Sequence, residues 1–397
     1  MVRFKLGLLG KIVIAMVVGV AVGRFLPGCA VRALNTFGDV FGQLVKFLVP
    51  FIILGLVTPA IAETGKSAGR LLLLTMAIAV VSTIFAGWYS FFASKAVFAA
   101  VLEPLPIDTA GVAAKSFPAY FKIPIPAPFD VVTSLVASFM IGLGIVAVQG
   151  ERMLGVFNEL RDIVTVTIAK AFVPLLPPYV AAVVADMTAC GKVAALAGPA
   201  LKIVGCCIVF SIGLLLLQYV VAGMIARRNP FRALCNMLPA YLTGLGCCSS
   251  AATIPVTLRQ TLKNGVSLDV ADLVVPLCAN VHLAGSMCNM VAYAAAILFL
   301  FGEPMSAAAF AKYIGMIAVV AVASPGVPGG VVLASASIVE SALGFSPERY
   351  ALMVTMYMAL DGMGTACNLT GDGAIALIVN RCRGDAANIS SKGAETR

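Results

Sequence analysis

The chain has 397 residues, of which 61% are hydrophobic and only 11% are charged. Because water-soluble domains carry about 25% charged residues, this composition excludes a soluble globular protein and predicts an all-α polytopic membrane protein. The net charge of +9 comes from 27 basic and 18 acidic residues; in a membrane protein such an excess reports topology, so we expect no nucleic acid among the partners.

Eight apolar stretches are long enough to cross a bilayer, which takes about 20 helical residues. Basic residues group beside them, for example at Arg227 and Arg228 or at Arg259 and Lys263. By the positive-inside rule, we expect these groups and both termini on the cytoplasmic side of the cell membrane. The predicted spans are 7–27, 37–62, 70–102, 126–149, 158–190, 193–226, 268–300 and 347–381.

Two further stretches, 229–262 and 306–345, are apolar but broken at the centre, by GCCSSAATIP and by ASPGVPGG. Each arm is short for a bilayer of about 30 Å, and the free backbone groups of such a break are tolerated only in a cavity or against protein. Both stretches are therefore predicted to be re-entrant helical hairpins. Each is followed by a long helix with polar residues, a pattern typical of a secondary transporter whose site lies where the two breaks meet.

Polar side chains line one face of the last predicted span. Asp361, Thr365, Asn368 and Asp372 are spaced 4, 3 and 4 residues apart, so a helix places them together, with Gly364 beside them. Carboxylates are costly inside a membrane and usually face a site. Asp361 suits an ammonium group, and Asp372 suits a hard cation such as Na⁺, which prefers oxygen ligands.

The hairpin breaks supply the complementary groups. A helix start presents backbone N–H groups and a positive dipole end, which bind a carboxylate. Ser249 and Ser250 add hydroxyl donors to the first break, and residues 326–330 form a hinge-like second break. A pocket with donors for a carboxylate and with Asp361 for an ammonium group fits an α-amino acid, and no organic cofactor is expected.

Three stretches resemble motifs of the dicarboxylate/amino acid:cation symporters, the family of the glutamate transporter homologues. They are CCSSAATIPVT, SPGVPGG and LDGMGTACNLTGD, and the similarity extends over nearly the whole chain. The resemblance implies that family's fold, with eight transmembrane helices and two re-entrant hairpins. It also implies a homotrimer surrounded by membrane lipid.

The same resemblance implies a division into a static and a moving domain. Residues 1–65 and 126–190 correspond to the scaffold that forms the trimer. Residues 66–125 and 191–381 correspond to a transport domain that moves across the membrane like an elevator. Residues 382–397 form a cytoplasmic tail.

The resemblance assigns the site residues as well. Ser250 matches a contact to the substrate carboxylate, and Asp361 matches the aspartate that holds the amino group. The full set of implied substrate-binding residues is Ser249, Ser250, Ser286, Val327, Gly329, Asp361, Gly364, Thr365 and Asn368. The implied sodium ligands are the Asp372 side chain and backbone carbonyls near Cys278, His282, Asn368 and Ser324.

Two departures from the family pattern bear on the substrate and on the ions. Acidic-substrate members carry an arginine at the position of Gly364, which binds the side-chain carboxylate with two hydrogen bonds. Gly364 removes that arginine and leaves space, so we expect a small neutral amino acid of the serine, threonine, alanine or glycine type. An acidic amino acid or dicarboxylate in an unusual pocket is the alternative.

The second departure concerns the family motif Asn-Met-Asp-Gly-Thr, which aligns with residues 282–286. The aspartate of a third sodium site becomes Ala284, and our alignment places Thr75, Ile78 and Ala79 at its other positions. Alanine and isoleucine side chains offer no oxygen to a cation. We therefore expect the third site to be absent and fewer Na⁺ ions to be coupled.

His282 is the only histidine in the chain. In a continuous helix it shares a face with Cys278, Gly285 and Asn289. Two interpretations stay open: an interhelical hydrogen bond, or a protonatable group that replaces a lost cation site and makes the transporter proton-coupled, through His282 or a carboxylate. The sequence contains neither H-E-x-x-H nor G-x-S-x-G, so we do not expect an enzyme.

Overall fold

In the computed structural model, helices account for nearly all of the chain that is described. No β-strand occurs within these residues, as expected where apolar surroundings leave helices to satisfy their own backbone groups. The prediction of an all-α protein is confirmed to that extent. The structure describes residues 8–67, 70–104, 117–129, 131–247, 249–322 and 329–395.

Long helices make up the first half of the molecule. A π-helical turn, Ile168–Phe172, joins two of them without a break; it precedes Pro174, which lacks the N–H that a regular α-helical turn would use. The connection between the predicted spans 70–102 and 126–149 is non-helical where it is described. Asn35 Nδ2 on the second helix donates to its Phe117 carbonyl at 2.7 Å. The helices are α1 (Leu8–Phe25), α2 (Gly28–Ser67), α3 (Arg70–Val101), α4 (Val131–Val148), α5 (Glu151–Thr167), α6 (Val173–Ala189) and α7 (Lys192–Ala226).

Short helices alternate with long ones in the second half. They are α8 (Pro230–Asn236), α9 (Leu238–Cys247), α10 (Ser250–Lys263), α11 (Leu268–Val281), α12 (Ala284–Leu300), α13 (Ala307–Val322), α14 (Gly330–Ala334), α15 (Ala336–Leu343) and α16 (Pro347–Glu395).

Both predicted hairpin regions contain a break between helices that contact each other. In the first region α9 packs on α10, and in the second α13 packs on α15. The first break lies next to Ser249, as predicted. The second begins after Val322, and its tip, with Ser324 and Val327, lies outside the described residues.

Five helical segments of the described chain are long and apolar enough to cross a membrane, against eight predicted spans. The predicted spans 7–27 and 126–149 contain shorter apolar helices, and 347–381 lies in α16. The five segments are Gly28–Pro59, Leu71–Val101, Glu151–Ala189, Gly198–Ala226 and Leu268–Leu300.

Two helix predictions were wrong in detail. The stretch 268–300 is not one helix, because the chain leaves the helical conformation at His282 and Leu283, between α11 and α12. The last helix does not end at 381 but continues to Glu395. Its extension is tied to the start of α11 by an ion pair between Arg383 and Asp269.

The centre of the molecule is the broken pair α11 and α12. In its most apolar window 94% of the residues are buried, against 28–53% for the other four segments. Around α12 pack α3, α7, α13 and α16. Polar groups buried between these helices need hydrogen-bond partners.

Candidate substrate and cation site

The break at His282 leaves the first backbone N–H groups of α12 without acceptors in their own helix. His282 is extended, with φ −98° and ψ 101°, and Leu283 has φ −118°. The first N–H groups of a helix lack intrahelical acceptors, and here other helices supply them. Thr83 Oγ1 on α3 accepts from Leu283 N at 3.3 Å. Asn368 Oδ1 on α16 accepts from Gly285 N at 2.8 Å and from Ser286 N at 3.1 Å.

Asn368 also donates through Nδ2 to Ser286 Oγ at 3.0 Å. The Asn368 amide therefore caps α12 and orients the Ser286 hydroxyl. These two predicted substrate residues are thus in direct contact. Because the break separates His282 from Gly285 and Asn289, the continuous helix face predicted for them does not exist.

Beside this cap lies a fully buried pair of ionisable side chains. The His282 Nδ1 atom is 2.9 Å from Asp372 Oδ1, and both side chains are 0% exposed. A carboxylate only accepts, so Nδ1 carries the hydrogen. The other ring nitrogen, Nε2, is 3.1 Å from Ser82 Oγ, which accepts from Gln218 Nε2 at 3.0 Å. Both ring nitrogens are thus held, by α16 on one side and by α3 with α7 on the other.

Two buried oxygens in this network have no hydrogen-bond partner among the described residues, Asp372 Oδ2 and Gln218 Oε1. A buried oxygen of this kind normally has a partner, and unpartnered carboxylate oxygen fits a hard cation. The other carboxylate oxygen is already engaged by His282. The residues therefore fit a cation at one oxygen of Asp372.

The carbonyls expected to complete that cation site are less open than predicted. The Cys278 carbonyl accepts from His282 N at 2.9 Å. α16 runs as a helix through Asn368 and Asp372, so the backbone carbonyls at these positions lie within its hydrogen-bonding pattern. Among the described residues no group of three His, Cys, Asp or Glu side chains comes together, which a protein-bound transition metal would need.

Asp361 lies on α16 and contacts the second hairpin. Its Oδ2 accepts from Gly329 N at 3.0 Å, and the Tyr357 hydroxyl interacts with the same carboxylate. Gly329 has φ +74°, a conformation that glycine adopts at little cost. A side chain there would also stand 2.6 Å from Met358 Cε. The structure thus joins two predicted substrate residues, Asp361 and Gly329, through a backbone hydrogen bond.

Gly364 does not face open space, and that part of the prediction was wrong. A Cβ atom there would lie 3.1 Å from Ser286 Oγ and 3.5 Å from Asn289 Nδ2. A Cβ on Gly285 would lie 2.6 Å from the Gly364 carbonyl. The two glycines bring α12 and α16 into close contact, so the position normally taken by a side chain is filled by the neighbouring helix.

The remaining predicted substrate residues that the structure describes lie at the first break, on α10 and on α16. Ser250 and Thr365 are each 7% exposed, and Ser249 precedes α10. A Cβ on Gly244 would stand 2.6 Å from Leu369 Cδ1, so α9 packs on α16 between Thr365 and Asp372.

Sequence reasoning missed Ser82, Thr83 and Gln218. Our alignment placed Ile78 and Ala79 at the third cation site, but Ser82 and Thr83, one helical turn later, contact the break at His282. Thr75 bonds to Leu71 O within its own helix at 2.8 Å. Hydroxyls are therefore present beside the break, although those of Ser82 and Thr83 are already hydrogen-bonded. The expected loss of the third site stays a prediction that rests on Ala284. The signal for Gln218 was an amide in the apolar segment Gly198–Ala226.

Residues 8–382 match the profile of the sodium:dicarboxylate symporter family. The chain is 27% identical to excitatory amino acid transporter 2 of Homo sapiens over 247 residues, which cover 59% of this chain and 41% of the relative. It is 29% identical to neutral amino acid transporter A of Bos taurus over 147 residues, 37% of this chain and 28% of the relative.

A third relative is neutral amino acid transporter B(0) of Bos taurus. It is 27% identical over 232 residues, 56% of this chain and 42% of the relative. The matched regions thus span less than half the length of these three curated relatives.

Proposed function

Because the chain belongs to the sodium:dicarboxylate symporter family, we propose that it is a secondary-active symporter that couples a cation to the uptake of a small neutral amino acid. The family is one of transporters, and the chain is not an enzyme. The observation that carries the proposal is the environment of Asp361. This buried carboxylate accepts a hydrogen bond from the backbone of Gly329. Neither α11, α12 nor residues 350–380 of α16 contain a lysine or an arginine that could neutralise it. An ammonium group supplies the missing charge.

The absence of a cationic side chain also argues for a neutral substrate. Neither 268–300 nor 350–380 contains a lysine or an arginine. A substrate side-chain carboxylate would then be buried without a partner, which is unfavourable. The crowding at Gly364 favours a small side chain. The names of the relatives include excitatory and neutral transporters, so they leave the substrate class open.

Sodium is the proposed coupling ion, with Asp372 Oδ2 as its side-chain ligand. Bound Na⁺ would neutralise a buried carboxylate and add the ion gradient to the driving force. A second candidate is a proton, favoured by the 2.9 Å contact between His282 Nδ1 and Asp372 Oδ1, since an imidazole can carry the charge that a cation would bring.

The architecture of the family is part of the proposal: eight transmembrane helices, two re-entrant hairpins, a homotrimer in the cell membrane with cytoplasmic termini, and elevator motion of a transport domain. Helix packing supports a division of the chain close to the expected scaffold and transport domains. α1, α2 and α4 to α6 pack mainly against one another, whereas α3, α7, α13 and α16 pack around α12, and α9, α10 and α11 pack on α16.

Ligand-dependent thermal stability of the purified protein tests the site. Serine, threonine, alanine or glycine should raise the melting temperature in sodium chloride and not in choline chloride. Asp361→Asn should abolish the response to amino acid, and Asp372→Asn its dependence on Na⁺. Asp272→Asn, an exposed change on α11, is the matched control. Strongest stabilisation by glutamate, or equal stabilisation in choline, would contradict the proposal.

The proton alternative has its own signature. Uptake into vesicles would continue without Na⁺ and would stop when the pH gradient is dissipated. Asp372→Asn and a His282 variant would then both remove the dependence on pH.

A further inference from the structure

A polar cavity of about 220 Å³ lies away from the substrate site, at the basic end of the molecule. There the end of α7, the turn between α10 and α11, and the last helix meet. At about 30 Å³ per liquid water, the cavity has room for several waters or one phosphate group. It is lined by Ala226, Arg228, Gly265, Leu377, Asn380 and Arg381.

Arg228 is exposed, and its guanidinium lies against the backbone of the turn at Gly265. A Cβ on Gly265 would lie 3.0 Å from Arg228 Nη2 and 3.3 Å from its Cζ, so the guanidinium covers this glycine closely. Gly265 has φ +82°, which other residues rarely adopt. The ion pairs found in the described chain do not include Arg228, and nearby Asp269 is bonded to Arg383. Among the described residues, Arg228 therefore presents its charge to the cavity without an ion-pair partner.

The other polar groups of the cavity are donors as well. Asn380 Oδ1 accepts from Ser267 N at 3.1 Å and from Ser267 Oγ at 2.9 Å, which leaves the amide Nδ2 as the donor. Arg381 adds a second guanidinium to the lining. Guanidinium groups bind phosphate oxygens through paired N–H bonds and have no acceptor. The described residues that line the cavity include no carboxylate, and their donors are complementary to an oxyanion.

The position of the cavity agrees with that chemistry. Arg227, Arg232, Arg259 and Lys263 lie on the same end of the molecule, at the ends of α7 and α10 and on α8. By the positive-inside rule this end faces the cytoplasm. Basic pockets between helices on that side bind phospholipid headgroups.

We propose that this cavity binds a phosphate group, carried either by an anionic phospholipid of the inner leaflet or by a soluble phosphate. Bound there, it would connect α7, the base of the first hairpin and α16. The proposal does not depend on the transported substrate, since its test measures binding of phosphate and not uptake.

Native mass spectrometry of the full-length, delipidated protein tests the lipid source. With phosphatidylglycerol, the wild type should retain one lipid per chain and should prefer it to phosphatidylcholine. Arg228→Gln and Arg381→Gln should each weaken retention about tenfold or more. Arg232→Gln, which removes an exposed charge from the same end without touching the cavity, should retain lipid like the wild type. Arg228→Lys keeps the positive charge but loses the planar guanidinium, so its lipid retention should lie between those of the wild type and Arg228→Gln. It serves as the second variant if Arg228→Gln does not fold.

Inorganic phosphate tests the soluble source. At matched ionic strength, phosphate in place of chloride should then raise the melting temperature of the wild type and of Arg232→Gln, and not that of Arg228→Gln. If neither phosphatidylglycerol nor phosphate distinguishes the wild type from Arg228→Gln and Arg228→Lys, or if Arg232→Gln loses as much binding, the proposal is overturned.

Discussion

His282 is held on both sides of its ring, and this decides what it can do. Asp372 accepts from Nδ1, while Ser82, supported by Gln218, bonds to Nε2. A ring fixed in this way occupies one oxygen of the carboxylate that would otherwise be open to a cation. The two interpretations of His282 are thus parts of one arrangement, since an interhelical hydrogen bond here is also a contact with the candidate cation ligand.

Replacing His282 should alter cation affinity. In His282→Asn the shorter amide, which is the residue of the family motif, should free Asp372 Oδ1 and lower the Na⁺ concentration that gives half-maximal substrate binding. The measurement is a Na⁺ titration at saturating serine. Adding Asp372→Asn should remove the gain. Unchanged Na⁺ dependence in the single variant would mean that the imidazole does not compete with the ion.

Gly364 should tolerate no side chain. Gly364→Ala places a methyl group against Ser286 and Asn289, and overpacking of this kind costs about 1–3 kcal/mol. Reversible unfolding in detergent should show that loss. Gly205→Ala on α7 meets nothing within 4 Å and should be neutral or stabilising by up to about 1 kcal/mol, because alanine is the better helix former. Equal stability of the two variants would refute the close contact.

At the scale of elements, the most consequential feature is the capped start of α12. The length of an apolar stretch, such as 268–300, can be seen in the sequence itself. The positions of the helices could therefore be predicted. The break at His282 depends on acceptors from Thr83 and Asn368, which are 200 and more than 80 residues away along the chain. The residues around His282 do not by themselves predict this break. Ser82 and Gln218 were missed for the same reason, because they are far from His282 along the chain.

The cap should carry measurable stability. Asn368→Ala leaves two N–H groups of α12 without acceptors and should cost about 1–2 kcal/mol. Asn280→Ala is the control, since Asn280 is exposed and bonds only to the Pro276 carbonyl of its own helix. Chemical unfolding of both variants, read against the wild type, measures the difference. A similar cost at the two positions would show that the cap adds little.

At the scale of the whole molecule, the polar residues that helical spacing placed on one face of the last span contact several other elements. Asp361, Asn368 and Asp372 share a buried face of α16 and meet Gly329, Ser286 and His282, each from a different helix or turn. The sequence pattern was sufficient to group these residues, because α-helical spacing determines which residues of one helix share a face. What it did not reach was the tightness of packing between helices, which turned the expected space at Gly364 into a contact.

The central claim, cation-coupled uptake of a small neutral amino acid, is tested most directly by transport into proteoliposomes. With an inward Na⁺ gradient, labelled serine should accumulate inside the vesicles, excess unlabelled glutamate should not compete, and Asp361→Asn should be inactive while Asp272→Asn is not. Serine uptake of equal rate and extent with neither a Na⁺ nor a proton gradient, or accumulation of glutamate in preference to serine, would contradict the account.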